Sequence, residues 1–156
     1  MAKITSKRVV EYYIKTHEND TSDKIYPNLM LVRSFSFLTE HGRKKVLDYG
    51  CGYGANTVFM LTRGADVSYA DTSPYAIQKT SEKINKFDGG NSTHYSKVID
   101  KDANSLPYAD EEFDVVVCAS VMSLLSSIEL MDSLLSEFYR ILKPSGRIYI
   151  DINGIE

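Results

Sequence analysis

The sequence predicts an α/β domain, a doubly wound and mostly parallel sheet flanked by helices, and three observations predict it. Short apolar runs alternate with stretches of helical periodicity, the first run closes on the glycine turn Gly50-Cys51-Gly52-Tyr53-Gly54, and an acidic residue, Asp71, follows the second run. Right-handed crossovers put helices on both faces of such a sheet. Ligands then bind at the carboxyl ends of the strands near the point where strand order reverses, so the residues just after each strand are the ones to read for chemistry.

Val9, Val10, Tyr13 and Ile14 recur at helical spacing and predict a helix from Ser6 to Thr16, with Thr5 or Ser6 as its cap. A polar stretch follows, and Pro27 then opens a second helix to Glu40, with Leu29, Leu31, Val32, Phe35 and Leu38 mostly on one face. Lys45–Tyr49 reads as a buried parallel strand entered from a basic cluster. The glycines open a helix from Ala55 to Arg63, Gly64 stops it, and Val67–Ala70 is the second strand. Ser73 and Pro74 supply an N-cap and a first-turn proline for a helix to Phe87. A weaker strand is expected at Lys97–Lys101 and the clearest one at Phe113–Ala119. A long helix over Ser127–Leu142, a turn at Pro144 and Gly146, and a fifth strand at Arg147–Ile152 complete the pattern.

At 156 residues, with 43% hydrophobic and 25% charged side chains, the chain is expected to be one domain: a helical N-terminal cap over 1–42 and an α/β core over 43–156. Eighteen Lys and Arg against 21 Asp and Glu leave a net charge of -3, which gives no field toward nucleic acid or an anionic membrane. Neither a signal-peptide core nor a membrane-spanning run of about 20 apolar residues is present. The two cysteines, Cys51 and Cys118, make no disulfide framework, so a reducing cytoplasm is the expected location.

The glycine turn lets backbone approach a ligand without a Cβ in the way. Through Gly50, Gly52 and Ala55 it also satisfies the G-x-G-x-x-G/A dinucleotide pattern, so the spacing alone does not select the ligand. Asp48, just ahead of the turn, suits a cationic, amino-acid-like group better than a pyrophosphate, which it would repel. Asp71 stands where a carboxylate can accept both hydroxyls of a ribose; its alternative is an acid at a helix N-terminus. Asp102 can accept from an exocyclic adenine amine beside the backbone of Ala103, or stand as a solvated loop residue. Cys118 and Ala119 end the fourth strand, where their backbone faces the ligand, the Cys118 thiol being read as a small buried group.

Together these residues resemble the class I S-adenosylmethionine-dependent methyltransferases, in particular the group that methylates small molecules. Val46-Leu47-Asp48-Tyr49-Gly50-Cys51-Gly52-Tyr53-Gly54 resembles their first motif, Asp71-Thr72-Ser73 the acidic end of strand two, and Asp102-Ala103-Asn104-Ser105-Leu106-Pro107-Tyr108 the adenine loop. Phe113-Asp114-Val115-Val116-Val117 and the run from Glu137 to Gly146 resemble the later blocks, so the likeness covers about Lys45 to Ile152. The resemblance implies a Rossmann-like fold and S-adenosyl-L-methionine as cofactor. The glycine turn with Gly50, Cys51 and Gly52 would cradle the methionine part, Asp71 hold the ribose, Asp102 and Ala103 hold adenine, and Ala119 border the methionine amine, with Asp48, Asn56, Thr72, Ser73 and Cys118 as further expected cofactor-binding residues. Arg33 would pair with the methionine carboxylate, or lie on the surface.

The reaction implied is in-line displacement at a sulfonium, in which the protein chiefly positions two reactants. No catalytic base is assigned: His17, His41 and His94 are candidates by type alone, and no metal site is expected. Ala119-Ser120-Val121-Met122 differs from the Asn/Asp-Pro-Pro-Tyr/Phe sequence that marks amino-methylases of nucleic-acid bases, so a small-molecule acceptor is expected. The family sheet usually continues past strand five, so a partner copy or a further C-terminal region is expected to cover the edge there. Two rivals stay open: an NAD-dependent oxidoreductase, and a non-catalytic S-adenosylmethionine- or nucleotide-binding module acting with a partner.

Overall fold

The computed structural model describes residues 26–90, 95–100 and 104–152. The helix expected at Ser6–Thr16, Asp102 and Ala103 lie outside them. In chain order the described elements are α1 (Leu29–Leu38), β1 (Lys45–Tyr49), α2 (Ala55–Thr62), β2 (Asp66–Asp71), α3 (Pro74–Asp88), β3 (Tyr95–Val98), β4 (Phe113–Cys118), α4 (Ile128–Ile141) and β5 (Leu142–Ile150). The strands form one sheet in the order β3-β2-β1-β4-β5, with every pairing parallel. The order reverses between β1 and β4, which places the switch point at the carboxyl end of β1, where the glycine turn begins.

Alternation along the central strands divides the core between two layers. Leu47, Tyr49, Val116 and Cys118 pack with Leu130, Leu134, Phe138 and Ile141 of α4. Val46, Val115 and Val117 pack with Leu31, Phe35 and Leu38 of α1 and with Met60 of α2. Successive strand side chains point to opposite faces, so β1 and β4 are buried on both sides and read as continuous apolar runs. Burying each of the large α1 side chains contributes about 1.5–3 kcal/mol, which anchors that helix to the sheet.

Helix ends follow the expected chemistry. Ser73 accepts from the Ala76 N–H at 3.3 Å with Pro74 in the first turn, and Ser127 accepts from the Leu130 N–H at 3.3 Å. Asn28 caps α1, accepting from Met30 and Leu31 at 2.9 and 3.1 Å, so that helix starts two residues later than Pro27 suggested. It ends at Leu38, and Glu40–Gly42 forms a separate short 3-10 turn containing His41 at φ 60°.

Two strands differ from expectation. β3 lies two residues earlier than Lys97–Lys101; it is an exposed edge with no buried side chain, so no hydrophobic pattern marks its ends. β5 begins at Leu142 because Leu142 pairs with Phe113, after which the register jumps so that Arg147 pairs with Val115. Ser145 takes φ 64° in the intervening bulge, so the turn expected at Pro144 and Gly146 lies within the strand. The strand then stops at Ile150, which leaves Asp151 beyond it.

Two hydroxyls in the α4-side layer, those of Tyr49 and Tyr108, are buried without a hydrogen-bond partner among the described residues. A buried hydroxyl left unsatisfied costs about 1–3 kcal/mol, and deleting it keeps the ring packing on Phe138 and Phe113. Tyr49→Phe and Tyr108→Phe are therefore each expected to raise the melting temperature in thermal denaturation, by about 2–4 °C for each kcal/mol recovered. A fall would show that the hydroxyls are solvated or bonded in solution.

Candidate functional site

The carboxyl ends of β1, β2 and β4 converge on the glycine turn, and each glycine in it answers to a different constraint. At Gly50 (φ 74°) a Cβ would lie 2.3 Å from Val121 Cγ2, so the turn passes tightly under the segment after β4. At Gly54 (φ 79°), the cap of α2, a Cβ would lie 2.8 Å from Thr80 Cγ2, which lets α2 and α3 approach. Gly52 (φ 53°) has none of the described residues within 4 Å of the Cβ position, as a ligand cradle requires.

Asp71 closes β2 at the other side of the turn. Its Oδ2 accepts the Gly52 N–H at 3.0 Å and its Oδ1 the Ser73 N–H at 2.9 Å, so one carboxylate holds the glycine turn and the start of α3 together. An ionised carboxylate offers about four lone-pair sites over its two oxygens. Thr72 beside it is half-buried, while the Ser73 hydroxyl is buried and committed to its cap. Thr80 reinforces the cradle by donating to the Gly52 carbonyl at 2.8 Å.

Asp48 is 1% exposed and accepts the Thr57 hydroxyl at 2.6 Å. Burial, with a lesser contribution from the nearby Asp71 charge, pushes its carboxyl up to about 7 against the lowering effect of Thr57. A buried carboxyl poised at this value favours a cationic partner and disfavours an anionic one. Cys51 and Cys118 are buried thiols pushed well above their ordinary range, first by burial and then by carboxylates around them. They are inert as nucleophiles at neutral pH. Ala119 lies just beyond β4, followed by Ser120 at φ 60°.

Two further expected residues lie on α2 and α1. Asn56 Oδ1 accepts the Asn28 backbone N–H at 2.8 Å, tying α2 to α1. Arg33 is exposed on α1, whose buried residues are Leu31, Phe35 and Leu38. His41 lies at the opposite end of the sheet, lining a hollow with Arg43, Asp114 and Lys143, and His17 and His94 lie outside the described residues. The described residues contain no cluster of His, Cys, Asp and Glu able to hold a metal.

The later sequence blocks hold the site from behind. Glu137 accepts the Leu106 N–H at 2.7 Å and pairs with Arg140, which donates to the carbonyls of Leu106 and Tyr108 at 3.0 and 2.9 Å. These bonds fasten the loop that follows Asp102 and Ala103 to α4. Asp114 staples the amino ends of the strands, accepting from the backbone of Lys45 at 2.9 Å and from Lys143 at 2.8 Å.

Sequence reasoning missed Asp151. Asp151 accepts from the Asn28 side-chain amide and from the Ser120 N–H, beside the end of β4. The signal was available, since residues directly after strands were the ones to inspect; extending the fifth strand to Ile152 hid Asp151 inside it.

A parallel sheet of this order, with an open glycine cradle at β1 and a carboxylate at the end of β2, defines an α/β domain of the class I methyltransferase type. Residues 47–150 match the family described as a methyltransferase domain. The ubiquinone biosynthesis O-methyltransferase of Pseudomonas savastanoi pv. phaseolicola is 32% identical over 109 residues, 68% of this chain and 43% of that protein. The N-methyltransferase NodS of Bradyrhizobium japonicum WM9, solved with S-adenosyl-L-homocysteine, superposes with a TM-score of 0.71 at 18% identity, covering 91% of this chain and 71% of that one. The [4+2]-cyclase SpnF shares the fold at a TM-score of 0.69 and 21% identity, covering 94% and 60%. The chain belongs to the class I S-adenosylmethionine-dependent methyltransferase family, and it spans less than half the length, 43%, of the curated O-methyltransferase it matches.

Proposed function

We propose that this chain binds S-adenosyl-L-methionine over the β1–α2 turn and serves a methyltransferase that acts on a small-molecule acceptor. The carrying observation is the Asp71 carboxylate, held between Gly52 and Ser73 beside the open face of Gly52. Gly50, Cys51 and Gly52 would lie along the methionine part, Asp48 below its ammonium group, Asp71 and Thr72 at the ribose, Asp102 and Ala103 at adenine, and Cys118 and Ala119 beside the amine. When bound, the cofactor supplies an electrophilic methyl group on a sulfonium.

The residues' own work is to bind, orient and exclude water, which suits a reaction governed by positioning. Neither thiol nor His41 is placed to take a proton at this crevice, and no catalytic base is assigned. Among the described residues no helix is long and apolar enough to cross a membrane, and we place the protein in the cytoplasm. The exposed apolar residues Tyr26, Leu29, Met30 and Ile152 flank Asn28 and Asp151 and favour an acceptor with an apolar body.

Calorimetric titration of the chain with S-adenosylmethionine, S-adenosylhomocysteine and NAD tests the cofactor assignment. Saturable binding of the first two and not the third is the expected result. Binding of NAD alone would replace the assignment with the oxidoreductase reading, whereas cofactor binding without turnover across an acceptor panel would favour a non-catalytic module.

A further inference from the structure

The crevice over the switch point is bridged by polar contacts that the cofactor reading leaves unused. Asp151 receives the Asn28 amide on Oδ2 and the Ser120 N–H on Oδ1. Asn28 also accepts the Tyr149 hydroxyl on Oδ1 at 3.1 Å and donates its backbone N–H to Asn56 at 2.8 Å. One asparagine thus spends its backbone donor, its amide and its carbonyl on α2, the residue after β5, and β5 itself, while capping α1.

Docking of α1 does not require this set, because Leu31, Phe35 and Leu38 already bury its apolar face. What the polar set fixes is the orientation of the first turn of α1, together with Ser120, a non-glycine residue at φ 60°. Ser120 follows Ala119, and Asn56 follows the Gly54 cap, so the contacts run from the end of β4 to the start of α2.

We propose that Asn28 and Asp151 form a clasp that positions the first turn of α1 and the Ala119–Ser120 corner as facing walls of the cofactor crevice, and thereby sets cofactor affinity. Both are positioning residues, and the proposal rests on the cofactor reading above.

The clasp can be reversed chemically. Asp caps helices as well as Asn does, so the amide-to-carboxylate bond can run in either direction. Asn28→Asp alone sets two carboxylates against each other. Asp151→Asn alone leaves one oxygen for two donors, so either Asn28 or Ser120 loses its acceptor. In the double variant the amide at 151 donates to the carboxylate at 28, and its carbonyl still accepts from Ser120. The probe is S-adenosylhomocysteine titrated into the 156-residue chain, with ligand-free thermal melts alongside.

Each single variant is expected to bind on the order of tenfold more weakly, and the double to return to within about threefold of the wild type. Tyr149→Phe, which deletes only one bond to Asn28, is expected to show a smaller loss and guards against single variants that fail to fold. Melting temperatures that fall in the single variants while affinity holds would overturn the proposal and leave the contacts a purely structural role, as would additive losses in the double variant. Failure of the wild type itself to bind would overturn the cofactor reading, and the proposal with it.

Discussion

Replacing Asp71 with alanine is expected to weaken S-adenosylhomocysteine binding by on the order of 10²-fold or more, the largest loss from any single side chain of the site. Hydrogen bonds to a charged group contribute about 1.5–3 kcal/mol each, and two ribose hydroxyls can meet this carboxylate, so even the lower figure gives about 3 kcal/mol. The carboxylate also joins Gly52 to Ser73, so the cradle loosens as the direct contacts go. Asp71→Asn keeps one acceptor oxygen and is expected to fall between the two. Calorimetry gives the affinities and a melt of the unliganded variant separates turn loosening from ligand contact. Unchanged affinity in the alanine variant would move the ligand away from β2.

The second large effect is the pH dependence that Asp48 imposes. Its carboxyl, raised from 3.8 to about 7, favours the protonated form in the folded state. The sign follows from linkage: folding stability from this group is fully present below about pH 4 and is lost as pH rises through about 7. The loss between those limits is on the order of 4 kcal/mol, at about 1.4 kcal/mol per pH unit. Asp114 and Glu137, whose carboxyls are lowered, act in the opposite direction, so the measurement is the difference between wild type and Asp48→Asn. Asparagine keeps an acceptor for Thr57, and the variant is expected to gain on the wild type steadily from pH 5.5 to 7 in denaturant unfolding, then level off.

Ligand binding should show the reciprocal. If the ammonium group of the cofactor pairs with ionised Asp48, affinity rises by up to about tenfold per pH unit below 7 and flattens above. The asparagine variant is expected to lack that slope. A slope retained in the variant would assign the linked proton to another group.

The order of elements was legible in the chain because β1 and β4 are buried on both faces and therefore read as unbroken apolar runs, and because Ser73, Pro74 and Ser127 mark helix starts through local chemistry. The β1–α2 turn was legible because Gly50, Gly52 and Gly54 take positive φ, which favours glycine, and Asp71 because it stands where the second apolar run ends. Boundaries were legible only where a local rule enforced them. β3 is exposed along its length, so nothing in its side chains fixes its register, and the start of β5 depends on Leu142 meeting Phe113 across a bulge.

What the sequence by itself determined is the alternation of strands and helices, the glycine cradle and the acidic residues around it, since each follows from the conformational and bonding limits of residues close in the chain. Tertiary structure alone decided what those residues meet. Asp48 became a buried carboxyl near neutrality only when the packed sheet and α2 excluded water from it, against the lowering effect of the Thr57 hydroxyl. Asn28 and Asp151 are separated by most of the domain in sequence and share a bond because the parallel crossovers return every strand's carboxyl end to the same edge of the sheet.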